Sequence, residues 1–181
     1  QFLFCGHADA SLGGVRTLGF TTAEGGLQAV QPPDLAKLLG AHSPRNNGQL
    51  ELVFLNGCYS EQLGQAVHAA GVTTVVCWRT LAESSAARIF ATSFFETLSH
   101  GHSYSRAFEE AKAELTLQVR PGRLASGQAC LVPKYVLGDP QTTGPRVDCG
   151  FRPHPYVAGI PVLLEQSCSL VRSHSAEWMV P

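Results

Sequence analysis

The chain has 181 residues, 44% of them hydrophobic, with a formal net charge of -1 and a pI of about 6.7. That is enough for one domain with a real core. The balance excludes a basic nucleic-acid surface and a polybasic membrane anchor, and the most apolar stretch, residues 72–78, falls far short of the ~20 residues that span a bilayer.

Charged residues make up 15%, below the ~25% usual in soluble domains. This hints that part of the surface meets another domain or chain. Residues 1–5 carry neither the basic region nor the apolar core of a signal peptide, and a start at Gln1 rather than Met suggests a longer parent protein. Six cysteines without a C-x-x-C pair point to free thiols in a reducing compartment, and a cytoplasmic location is expected.

In chain order, residues 1–6 (QFLFCG) form a short apolar run whose end delivers His7, a buried-strand pattern. Paired glycines at 13–14 and 25–26 bracket a hairpin or loop insertion. Pro32, Pro33 and Asp34 open a helix that Gly40 ends. Residues 50–55 (LELVFL) are nearly continuous in apolar side chains, which suits a strand covered on both faces; Asn56, Gly57 and Cys58 follow it. Residues 61–70 read as a helix closed by Gly71, and residues 72–78 (VTTVVCW) as a β-branched strand.

Residues 82–99 read as a long helix with Ile89, Phe90, Phe94 and Leu98 on one stripe. Residues 103–117 form another, with Phe108, Ala111 and Leu115 inward. Residues 134–137 (KYVL) are a fourth strand. Strands alternating with helices imply α/β with a mostly parallel sheet. The expected division is a domain over residues 1–140 and an irregular Pro-rich extension over 141–181, in which only residues 160–164 have a regular pattern.

Ligands of open α/β sheets bind outside the carboxyl ends of strands. Two such ends carry reactive side chains, His7 and Cys58. A thiolate is an acyl-transfer nucleophile, and a neighbouring imidazole can take its proton and return it to the leaving amine. Backbone N–H groups at Cys58 and near Ala8 would serve the oxyanion. Two other readings stand beside this one. Buried cysteines are mostly core fillers, and Cys5, His7 and Cys58 would make three zinc ligands with no fourth in view. Nothing resembles a Walker loop, a dinucleotide-binding glycine pattern or paired carboxylates, so no cofactor and no metal is expected. Cys77 reads as core, and Trp78 as packing near the pocket wall.

His7 precedes Cys58 by 51 residues, close to the ~50-residue spacing of caspase-type enzymes. The segments FLFCGHAD, LELVFLNGCYS, GVTTVVCW, SSAARIFATSFFETLSHGHSYSRAFEEAK and KYVLGDP, in that order, resemble the CHAT family. These are caspase-like peptidases often found beside TPR arrays, relatives of separase and the metacaspases. The resemblance implies a three-layer caspase–haemoglobinase fold, here with its N-terminal strands missing, and a His7/Cys58 dyad that cleaves a protein or peptide substrate. TPR-type repeats upstream, or another protein chain, are the partners it implies; nucleic acid and membrane are not.

The residue after the histidine is Ala8 where the family has glycine, and Gly57 stands where it has alanine. Relatives often cleave after a basic residue through an acidic side chain. Asn56 is neutral where metacaspases carry Asp. Glu83 matches the acidic position after the third strand, and Asp9 is a second candidate by proximity. Glu83, Asp9 and Asn56 are thus the expected substrate-binding residues. Arg79 is placed to pair with Glu83 or to favour an acidic substrate. The other class of function is an inactive CHAT-like module for protein–protein interaction or regulation.

Overall fold

The computed structural model describes residues 1–6, 10–12 and 15–166. Strand β1 (Phe2–Cys5) is followed by two short hairpins, β2 (Ala10–Leu12) with β3 (Val15–Thr17) and β4 (Gly19–Thr21) with β5 (Leu27–Ala29). Helix α1 (Pro32–Ala41) begins on its two prolines, whose missing N–H groups cost nothing in a first turn, with Asp34 favourable at the positive end of the helix dipole. Next come β6 (Leu52–Asn56), α2 (Glu61–Ala69), β7 (Thr74–Trp78), α3 (Ser84–Ser99) and α4 (Tyr104–Leu117).

The central sheet has the order β1-β6-β7 with a fourth strand at its far edge. The first three strands run parallel. Residues Leu52 to Leu55 and all five residues of β7 are buried, because alternate side chains feed two separate cores. Val53, Leu55, Val75 and Cys77 meet Leu35 and Leu39 of α1 and Leu63 and Val67 of α2. Leu52, Phe54, Val76 and Trp78 meet Phe90 and Phe94 of α3 and Ala107, Phe108 and Ala111 of α4. Helices on both faces explain why these strands lack the polar alternation of a half-exposed sheet. The result is the three-layer, mostly parallel α/β arrangement expected.

Beyond α4 the structure departs from expectation. Residues 118–133 form a hairpin, β8 (Val119–Leu124) with β9 (Ala129–Pro133). Pro121 and Gly122 sit within β8 and mask its strand pattern in the sequence. Residues 134–137 do contain a strand, β10 (Tyr135–Val136), but it lies outside the central sheet. A short helix, α5 (Pro140–Thr143), precedes β11 (Phe151–Arg152), which pairs with β8, and β12 (Tyr156–Val157), which pairs with β10.

The fourth place in the central sheet goes to β13 (Pro161–Glu165), antiparallel to β7 from Pro161↔Trp78 to Glu165↔Thr74. Residues 141–166 are therefore integral to the sheet and its flank rather than irregular. An antiparallel edge strand needs no crossover helix and little apolar length, so its sequence signal is only the run at 160–164.

Candidate active site

Strand β1 lies directly beside β6, with Cys5 opposite Asn56. In a parallel pair, chains in register leave the sheet at the same edge. His7 and Cys58 each follow that opposed pair by two residues in sequence. His7, Ala8 and Asp9 lie outside the described residues; the geometry below concerns Cys58 and its frame.

Cys58 is half-buried and its thiol is free. Its Sγ accepts a hydrogen bond from the Ala82 N–H at 3.3 Å and lies 3.8 Å from the Ala82 carbonyl oxygen, to which a thiol can donate. The sulfur thus rests on the loop between β7 and α3. The next residue, Tyr59, has φ 54°, a left-handed conformation that costs a non-glycine residue roughly 1–3 kcal/mol. Its N–H donates to the Thr80 carbonyl at 3.1 Å, into the same loop. Ser60 fixes the turn from below. Its hydroxyl, fully buried, donates to the Leu55 carbonyl at 3.0 Å and accepts from the Trp78 N–H at 3.0 Å.

That loop is held in turn by residues far along the chain. The Arg79 N–H donates to the Ile160 carbonyl, the Ile160 N–H to the Thr80 Oγ1, and the Glu83 N–H to the Ala158 carbonyl. Gly159 between them has φ +101°, and a Cβ there would lie 2.4 Å from the Leu81 carbonyl oxygen and 3.1 Å from the Trp78 ring. Only glycine combines that backbone with that approach. Residues 158–160 therefore brace the loop that carries the sulfur's hydrogen-bond donor. Sequence reading does not find this brace, because it joins positions 80 residues apart.

Two of the expected substrate-binding residues, Asn56 and Glu83, have structural partners. Asn56 Oδ1 accepts from Trp78 Nε1 at 2.9 Å, while its Nδ2 donates to the Ala87 carbonyl at 3.3 Å and sits 3.8 Å from the Cys5 sulfur. An indole nitrogen only donates, which fixes the amide's orientation. Asn56 thus clamps β6 to β7 and α3. Glu83 is the N-cap of α3, its Oε2 accepting from the Ala86 N–H at 2.7 Å. Arg79 does not pair with Glu83; its Nε and one terminal nitrogen grip both carboxylate oxygens of Glu61 at 2.9 Å. The hydrogen bond from Arg79 holds the Glu61 carboxyl below the usual carboxylate range, against the opposing effect of burial, and the same contact raises the Arg79 guanidinium.

Cys77 is core, as its strand position predicts. Burial, aided by the Glu61 charge, pushes its thiol up to about 12. Among the described residues no group of three or more His, Cys, Asp or Glu is placed to hold a metal, and no helix is long and apolar enough to cross a membrane.

A cysteine at the carboxyl end of a central parallel strand, on a three-layer α/β scaffold and on a strained turn, defines a protein of the caspase-like architectural class. Residues 4–156 match the family model of the CHAT domain, and the chain belongs to that family, whose members are related to cysteine peptidases. No curated protein matches the chain.

Proposed function

We propose that this chain is a cysteine endopeptidase domain in which Cys58 is the nucleophile and His7 its proton-transfer partner. The observation that supports the reading is the parallel pairing of β1 with β6 in the register Cys5↔Asn56, since His7 and Cys58 each stand two residues further along the sequence. In this mechanism His7 takes the Cys58 proton and the sulfur attacks the scissile carbonyl carbon. Backbone N–H groups at Cys58 and Ala8 receive the oxyanion. Collapse of the tetrahedral species breaks the C–N bond, the leaving amine takes its proton from His7, and an acyl-enzyme remains. His7 then deprotonates a water that attacks the thioester, and the thiol is restored as the peptide acid leaves. The substrate is a protein or peptide cleaved after a basic residue, with Glu83 and Asp9 as the acidic candidates for recognising it.

Iodoacetamide alkylation of Cys58 and cleavage of a basic-residue fluorogenic peptide library test this in the parent chain, Cys58→Ala and His7→Ala. A dyad gives thiol-dependent cleavage that both substitutions abolish, and a Cys58 that alkylates readily near pH 6 only while His7 is present. Cleavage surviving in Cys58→Ala would sink the assignment. One observation favours a second reading, an inactive interaction or regulatory module: the Asn56 amide and one Glu83 oxygen are already engaged by the scaffold. Absence of thiol-dependent cleavage across basic and acidic libraries would put that reading first.

A further inference from the structure

The outward face of the β8–β9–β11 sheet has a composition that a water-facing sheet does not ordinarily carry. By the register Val119↔Pro133, Pro121↔Leu131, Arg123↔Ala129 and Arg152↔Arg123, these seven side chains share one face. An antiparallel sheet with one face toward solvent is normally polar there. Here five of the seven are apolar, and Val119 and Leu131 are 51% and 67% exposed. Leu117, 71% exposed, ends α4 two residues before Val119. The two remaining members, Arg123 and Arg152, stand directly opposite each other, where like charges repel.

The only carboxylate within ion-pair reach of the pair, among the described residues, is Asp148, 3.4 Å from Arg152 and itself exposed. A cleft of about 450 Å³ opens beside them, lined by Arg123, Leu124, Gly127, Asp148 and Arg152 among others. The surrounding stretch repeats the bias. Residues 118–157 contain five Lys or Arg and two Asp, on a chain of net charge -1.

We infer that this face docks a protein segment in which apolar side chains adjoin carboxylates, the apolar side chains on Val119, Pro121 and Leu131 and a carboxylate between Arg123 and Arg152. Charge complementarity selects this partner. A cross-strand arginine pair is relieved by an anion placed between its members and aggravated by any cation, and the guanidinium fork suits a carboxylate. Exposed apolar area beside it supplies the desolvated centre that such a contact requires. The site is independent of Cys58. It fits an exosite on a peptidase and a docking face on an inactive module equally.

The test uses the full chain carrying Cys58→Ala, so that no probe is cleaved, and fluorescence polarisation with a short labelled peptide alternating leucine and glutamate. A matched peptide with lysine for glutamate is the control. The glutamate peptide binds, weakening with added salt; the lysine peptide does not. Arg123→Glu and Leu131→Ser each weaken binding about tenfold or more. Arg123→Glu places opposite charges across the strands, so its Tm does not fall, which separates lost binding from lost folding. The inference is overturned if the peptide fails to bind, or if both variants bind it as the parent does. It is also overturned if sedimentation shows that the face instead joins two copies of the chain, with Arg123→Glu dissociating them.

Discussion

Gly159 illustrates how much of the site depends on one residue without reactive chemistry. Its positive φ and its approach to the Leu81 carbonyl leave no room for a methyl group. Gly159→Ala forces the Leu81–Ala82 peptide outward, and with it the N–H that meets the Cys58 sulfur. The expected loss is roughly 1–3 kcal/mol of stability, read from the urea midpoint. Cleavage falls about tenfold or more if Cys58 is the nucleophile, since small displacements of reacting groups are costly. Unchanged stability would mean that the brace is slack.

Cys77 gives a second prediction at this scale. Its thiol stays neutral in the fold up to about pH 12 but ionises near pH ~8.5 when unfolded. The raised value leaves stability intact below the unfolded pKa and drains it as pH rises toward 12. Relative to Cys77→Ala, the parent chain therefore loses up to about 1.4 kcal/mol per pH unit across that window. Urea titrations at pH 8, 9.5 and 11 (roughly the start, lower half and upper half of that range) measure the difference. A parallel decline in both chains would refute it.

Among elements, the parallel strands and the paired helices were legible because their signals are local and long. Residues 52–55 of β6 and 75–78 of β7 are apolar without alternation, and α3 carries Phe90 and Phe94 one turn apart on a single face. Residues 118–133 were not legible, since a proline and a glycine break the β8 pattern, and β13 gave only a short run. Glu83 shows the same limit within one element. An acid before a helix reads equally as a ligand and as a cap, and only the 2.7 Å contact to the Ala86 N–H reveals the cap. Glu83→Ala should cost about 1 kcal/mol, and Glu83→Ser should recover most of it because serine also caps. If cleavage after basic residues falls equally in both variants while stability recovers in the second, Glu83 also binds substrate. If cleavage follows stability, it only caps.

For the whole molecule, the question is where the folding unit ends. Composition changes near residue 140, and a boundary there is the natural reading of the sequence. The architecture argues for a later one. A chain ending at 140 loses β13, which pairs with β7 along its whole length and packs Val162 and Leu164 on one core and Leu163 on the other. It also loses Ala158, buried beside Ala86, Leu115 and Tyr135, and the backbone partners of Arg79, Thr80 and Glu83. Strand β7, now central, becomes an open edge able to pair with other chains. These partly buried apolar side chains at ~25 cal/mol per Å² of lost burial, added to the unpaired ladder, are comparable with the lower part of the 5–15 kcal/mol margin by which domains fold. A chain ended at residue 140 is therefore expected to show no cooperative urea transition and to aggregate, whereas one ended at residue 166 keeps every described strand and unfolds cooperatively. Sedimentation and circular dichroism on the two truncations decide it. A cooperative, monomeric 1–140 chain would show that the first three strands and four helices hold the fold alone.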